Sequence, residues 1–251
     1  ALQGSRVIWD GDGHGAFTYP VVLPQAGLTK NDIPLRLDYA TFDPLKGLPS
    51  IPASLRAADI TAGKRYYIIQ YRAPILQEWQ DALRRTGAEI VDYLPELAYV
   101  VRADAGQLNA IRALAAVRWI GDFHPAYKVN GGIQGVKGMF LAKIFLWPGT
   151  DAYAIQGVLV SFGAIDVAVA ADEIGASGAP QIVAAIPSDA VTGILNLPEV
   201  HTLDRHYPNV LNNRESARTT GVADSRDPNW NTLGVTLDGT GQTYGTIDSG
   251  L

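Results

Sequence analysis

The carboxylate best set up for chemistry in this chain stands three residues from its end, in the stretch GTGQTYGTIDSGL. A short β-prone run, Thr243 to Ile247, delivers Asp248 to its tip, and Ser249 and Gly250 follow at once. α/β sheets present reactive groups at the carboxyl ends of their strands, so Asp248 has the position of an orienting or catalytic carboxylate. An aspartate so placed can fix an imidazole in one tautomer and stabilise its protonated form while the imidazole takes a proton from a hydroxyl. Asp-Ser-Gly is also an ordinary turn, because aspartate bonds back to nearby backbone and glycine tolerates positive φ. His14, His124, His201 and His206 all precede Asp248, at positions that suit loop or strand-end histidines.

Other chemistries find less support. DGDGH (residues 10–14) and DPNWN (residues 227–231) set oxygen ligands at alternate positions. Neither completes the twelve-residue calcium loop: no glutamate closes it, and Thr232 replaces the required glycine in the second. There is no phosphate-binding loop, no zinc spacing and no dinucleotide fingerprint after a strand. No cofactor is expected, with calcium a candidate only in a longer parent protein. A net charge of -5 and a pI near 5.3 leave no basic stripe, against nucleic acid or an anionic membrane surface as partner. No apolar run reaches the ~18 residues that a membrane span needs. The absence of cysteine fits a reducing cytosol and equally a bacterial secreted protein that relies on packing.

The elements that must position these residues begin after an irregular stretch. Residues 1–64 are rich in Pro and Gly, and their apolar pieces (YPVVLP, DIPLRLDY) are cut before any period builds up, which predicts an extended arm or cover. From Arg65 the pattern is regular. RYYIIQY predicts a strand, and PILQEWQDALRRTG a helix burying Ile75, Trp79 and Leu83 at i, i+4, i+8. AEIVDY and AYVVRA predict two strands, DAGQLNAIRALA a helix with Leu108, Ile111 and Leu114 on its stripe, and VRWIGDF a last strand. This β-α-β-β-α-β order is the split βαβ arrangement of ferredoxin-like domains.

The pattern then repeats. GMFLAKIFL, GTDAYAIQGVLVSFG, AIDVAVA, PQIVAAI, SDAVTGILNL and VHTLDRHY follow the same order, and Ile111, Leu114, Val117 and Ile120 align without gaps over Ile194, Leu197, Val200 and Leu203. Gly87-Ala88 matches Gly163-Ala164 at a shorter spacing, which puts an insertion in the middle hairpin at DEIGASG. The expected architecture is α+β: an arm over 1–64, one ferredoxin-like module over 65–130, a second over 138–208 joined by NGGIQGVKG, a polar junction over 209–240, and a new element over 241–251.

The last stretch, LDGTGQTYGTIDSGL, resembles the segment of subtilisin-like serine proteases, the subtilases of peptidase family S8, in which a glycine-rich turn and a core strand deliver the triad aspartate. PILQEWQDALRRTGAEIVDYLPELAYVVR is similar to propeptide modules of large bacterial subtilases. The resemblance spans about 65–251. It implies that 241–251 opens an α/β catalytic domain, that Asp248 is its triad aspartate, and that the histidine and serine lie downstream in the parent. It also implies a secreted, extracellular, bacterial parent endopeptidase acting on peptide and protein substrates. The chain alone is then inactive, because no nucleophile is present for the aspartate to help activate. Its expected role is that of a pro-region, acting as folding template and inhibitor of its own catalytic domain by strand addition into the substrate cleft. The tail HYPNVLNNR is the candidate, with Tyr207 and Val210 three residues apart and cleavage expected after Val210 or Leu211. The alternative is a non-enzymatic tandem of ferredoxin-like domains that binds a small ligand or a protein partner.

Overall fold

The computed structural model of the protein describes residues 28, 32–58, 63–170 and 179–207. They form an α+β structure of antiparallel sheets and small helices. A two-residue hairpin opens it, β1 (Leu35–Arg36) against β2 (Thr41–Phe42). The first large sheet takes β3 (Arg65–Tyr71), β4 (Glu89–Leu94), β5 (Ala98–Ala103) and β6 (Val117–Asp122), with α1 (Gln77–Arg85) and α2 (Ala105–Arg112) between them in the chain. The second takes β7 (Met139–Leu146), β8 (Ile165–Ala170), β9 (Gln181–Pro187) and β10 (Val200–Arg205), with α3 (Ala152–Ser161) and α4 (Val191–Leu195). The sheets run β4-β5-β3-β6 and β10-β7-β9-β8, all neighbours antiparallel, an order compatible with a ferredoxin-like fold.

The helix ends follow the local sequence. Asp104 accepts from the Gln107 backbone and Gln107 reaches back to the Asp104 backbone, a capping box that starts α2. Asp151 accepts from the N–H groups of Tyr153 and Ala154 to start α3. α1 begins at Gln77, three residues beyond the expected start at Pro74, because Leu76 stays extended at φ -85° and ψ 152°. Ile75, Trp79 and Leu83 nonetheless pack on the same core, with Leu83 fully buried. The repeat holds at the level of elements. Val200 to Arg205 stand 83 residues after Val117 to Asp122, and a 3-10 turn plus α4, together Ser188 to Leu195, stand at the same distance from α2. The expected hairpin insertion, residues 172–178, lies outside the described residues.

The two sheets differ in what covers their faces. The unbroken apolar run of β3 is explained by burial on both sides. Tyr67, Ile69 and Tyr71 pack with the helices, while Ile68, with Val100 and Ala98 of β5, packs under Leu35, Tyr39, Phe42, Ile51 and Leu55. One ionic cluster pins that cover. Arg118 on β6 donates to both carboxylate oxygens of Asp43 at 2.8 Å, and Asp43 also accepts from the N–H of Ile33 and of Leu45. Gln70 joins in, accepting from Arg118 at 2.6 Å and donating to the Ile33 carbonyl at 2.8 Å. β7 is covered on one face only. Phe140, Ala142, Ile144 and Leu146 are buried, whereas Met139 and Leu141 on the alternate face are 42% and 37% exposed. Across that open face Leu141, Ala185 and Ile165 form one register row over three strands, with Ile165 54% exposed.

Gly121 on β6 shows why one position tolerates no side chain. A Cβ there would lie 2.1 Å from Cη2 of Trp119, so the indole lies where any larger residue would stand.

Candidate functional site

The seam between the two sheets gathers the groups best placed for recognition. Leu146 ends β7 and WPGT follows, with Pro148 and Gly149 at the central positions of a tight turn. Gly149 has φ +80°, and the Thr150 N–H donates to the Trp147 carbonyl at 3.1 Å, as a type II turn requires. The turn directs Trp147 into the seam. Its indole stacks on Tyr66 of β3 at 4.4 Å and on His201 of β10 at 4.0 Å, and its edge meets Phe123 at 5.8 Å. Trp147 is 2% exposed, and its Nε1 finds no acceptor among the described residues. His201 closes the contact through Nε2, 3.1 Å from the Asp92 carboxylate on β4. One stack thus joins strands of both sheets.

A cleft of about 430 Å³ opens beside this stack, lined by Lys64, Tyr66, Glu89, Arg102, Trp147 and Glu199 among others. Glu89 pairs with both Lys64 and Arg102, the latter at 3.3 Å, and the charge of those two cations with the hydrogen bond from Lys64 foremost holds its carboxyl below the usual range. Burial pushes the Tyr66 phenol up to about 12, so it stays a neutral donor. Behind Glu199 sits Lys128, 4% exposed, donating to the Leu197 carbonyl at 2.8 Å. Its desolvation, only partly countered by Glu199, lowers the amine to about 7. Among the described residues no group of three His, Cys, Asp or Glu side chains is arranged to hold a metal. No described helix is long and apolar enough to cross a membrane.

The residues singled out in the sequence are not brought together in the described structure. Asp248, Val210 and Leu211 lie outside the described residues, as do DGDGH and DPNWN. Tyr207 is described and 64% exposed, two residues past the end of β10. Three of the four histidines have visible places. His124 accepts the Ala57 N–H at 2.9 Å through Nδ1, and burial holds its imidazole below the usual range. His201 joins the aromatic stack, and the His206 backbone N–H donates to the Leu141 carbonyl at 2.9 Å. Sequence reasoning missed Trp147, Glu199 and Lys128. Only the tight turn WPGT and the lone cation within the apolar run PAYKV signalled them.

Residues 36–124, from β1 to just past β6, match the family model of a domain of unknown function, DUF8729. No curated protein matches the chain. Among solved structures it is similar to the acetolactate synthase small subunit from Thermotoga maritima, at 15% identity and a TM-score of 0.21, over 59% of this chain and 100% of that one.

Proposed function

We propose that this chain is the N-terminal pro-region of a secreted subtilisin-like serine endopeptidase, with two tandem ferredoxin-like modules ahead of the start of the catalytic domain. The reading rests on the resemblance of residues 241–251, and the observation that carries it is the uncovered face of the second sheet. β7 is wholly apolar on its buried helix side, and its other side sets Met139, Leu141 and Phe145 around the single cation Lys143, leaving Met139, Leu141 and Ile165 exposed in one antiparallel sheet. An apolar sheet face of this kind calls for a partner surface. The same sheet ends in β10, from which the chain continues to Tyr207 and on to Val210 and Leu211. A module docked by this sheet can feed that tail into a substrate cleft, where main-chain pairing holds it and alternate side chains fill pockets. In the parent, Asp248 orients the catalytic histidine and stabilises its imidazolium. On this reading the histidine and serine are supplied by the parent's catalytic domain, and the pro-region serves as template and inhibitor.

The chain is incubated with a subtilisin-like protease, residual activity is followed, and the fragments are sequenced. The reading expects inhibition, weakened by Leu141→Asp in the full chain, with cleavage after Val210 or Leu211. Absence of inhibition, or first cleavage before Tyr207 or beyond Ala217, would overturn it. A second reading, a non-enzymatic small-ligand binder, is favoured by the cleft at the seam.

A further inference from the structure

The cleft at the seam has a charge pattern that nothing in the pro-region reading uses. One wall comes from the first sheet and its approach: Lys64, Tyr66, Glu89 and Arg102. The other wall comes from the turn after β7 and the turn before β10, which contribute Trp147, Thr150 and Glu199. Lys64 and Arg102 both bind the single carboxylate of Glu89, so the three side chains together carry one surplus positive charge. Their donors are not exhausted. An ammonium has three N–H groups and a guanidinium five, and each donates one hydrogen bond to Glu89. Glu199 is the counterpart: its carboxylate has no hydrogen-bond or ion-pair partner among the described residues. Lys128 behind it is turned to the Leu197 carbonyl and forms no ion pair with it. The cleft is therefore neutral as a whole and charged at its two sides, with the half-buried ring of Tyr66 between.

From this we infer that the cleft binds a small zwitterion, a free α-amino acid or a short peptide, with its carboxylate on Arg102 and Lys64, its ammonium on Glu199, and an apolar side chain against Tyr66. A lone anion would leave Glu199 facing it, and a lone cation would meet the surplus positive charge of the opposite wall. Only a ligand carrying both charges satisfies both sides. A volume of about 430 Å³ accommodates an amino acid or a short peptide and excludes a folded partner. The inference is independent of the pro-region reading, since it uses no residue beyond Glu199.

The test is calorimetric titration of the full chain with L-phenylalanine and with di- and triphenylalanine, beside phenylalaninamide, which lacks the carboxylate, and N-acetylphenylalanine, which lacks the ammonium. Saturable binding of at least one zwitterion is expected, with each blocked analogue weaker by at least about tenfold, the loss of one charge-assisted contact. Tighter binding of the free amino acid identifies that source; tighter binding of a peptide identifies the other. Glu199→Gln should remove discrimination against the N-acetyl analogue, and Lys64→Gln should reduce discrimination against the amide. Thermal melting checks that both variants fold, and the wild-type ligand panel decides the matter if one does not. No saturable binding by any zwitterion, or equal binding of a blocked analogue, would overturn the site. Protease inhibition is read separately, so neither proposal can mask failure of the other.

Discussion

Replacing Asp43 by alanine should unfasten the segment that covers the first sheet. Asp43 is 1% exposed and its partner Arg118 side chain 14%, so little solvent screens the pair. The substitution strands a half-buried guanidinium and removes the acceptor of the Ile33 and Leu45 N–H groups. Breaking a buried ion pair from one side costs about 3–5 kcal/mol, because an uncompensated charge remains. Urea unfolding of wild type, Asp43→Ala, Arg118→Met and the Asp43→Leu/Arg118→Met double variant should show a large loss in each single variant. The double variant should lose far less than the two together, since apolar replacement of both partners leaves no buried charge. A single-variant loss below ~1 kcal/mol, or additive losses, would refute the clamp. Burial raises the Asp43 carboxyl, and the bonds from Arg118, Leu45 and Ile33 with the Arg118 charge outweigh that, leaving it below its ordinary value of 3.8. A depressed carboxylate stabilises the fold above its unfolded value. That contribution must disappear as pH falls through the lowered one, and Asp43→Leu/Arg118→Met should not show this acid loss.

Two further outcomes follow from buried positions. Lys128 falls from 10.5 to about 7, so between those values the unfolded chain holds a proton that the fold does not; stability should rise with pH across that window, by up to about 5 kcal/mol, and be lost as pH falls toward 7. Lys128→Met should flatten that rise and be the more stable form at pH 7, and identical pH profiles of the two proteins by urea unfolding would refute the assignment. Gly121→Ala should cost about 1–3 kcal/mol by thermal or urea unfolding, because the new methyl meets the Trp119 ring, and pairing it with Trp119→Leu should recover most of the loss.

Period and turn chemistry made the secondary structure legible. RYYIIQY and AYVVRA coincide with β3 and β5 residue for residue, since β-branched and aromatic residues between breakers have no other economical state. The stripe Leu108, Ile111 and Leu114 marked α2, and the constant spacing between the halves carried into β6 and β10 because equivalent cores demand equivalent apolar positions. Pro74 misled the start of α1, where Leu76 remains extended.

Amino-acid order alone thus determined which segments are strands and helices and that their order occurs twice. Tertiary structure alone decided that residues 33–57 cover one sheet, that the second keeps an open face, and that Trp147, Tyr66 and His201 stack at one seam beside an unpaired Glu199. Local pattern records what a segment prefers within a few residues. The meeting of Asp43 with Arg118, or of Tyr66 with Trp147, depends on how whole sheets pack, and chain order encodes that only through the sum of all contacts.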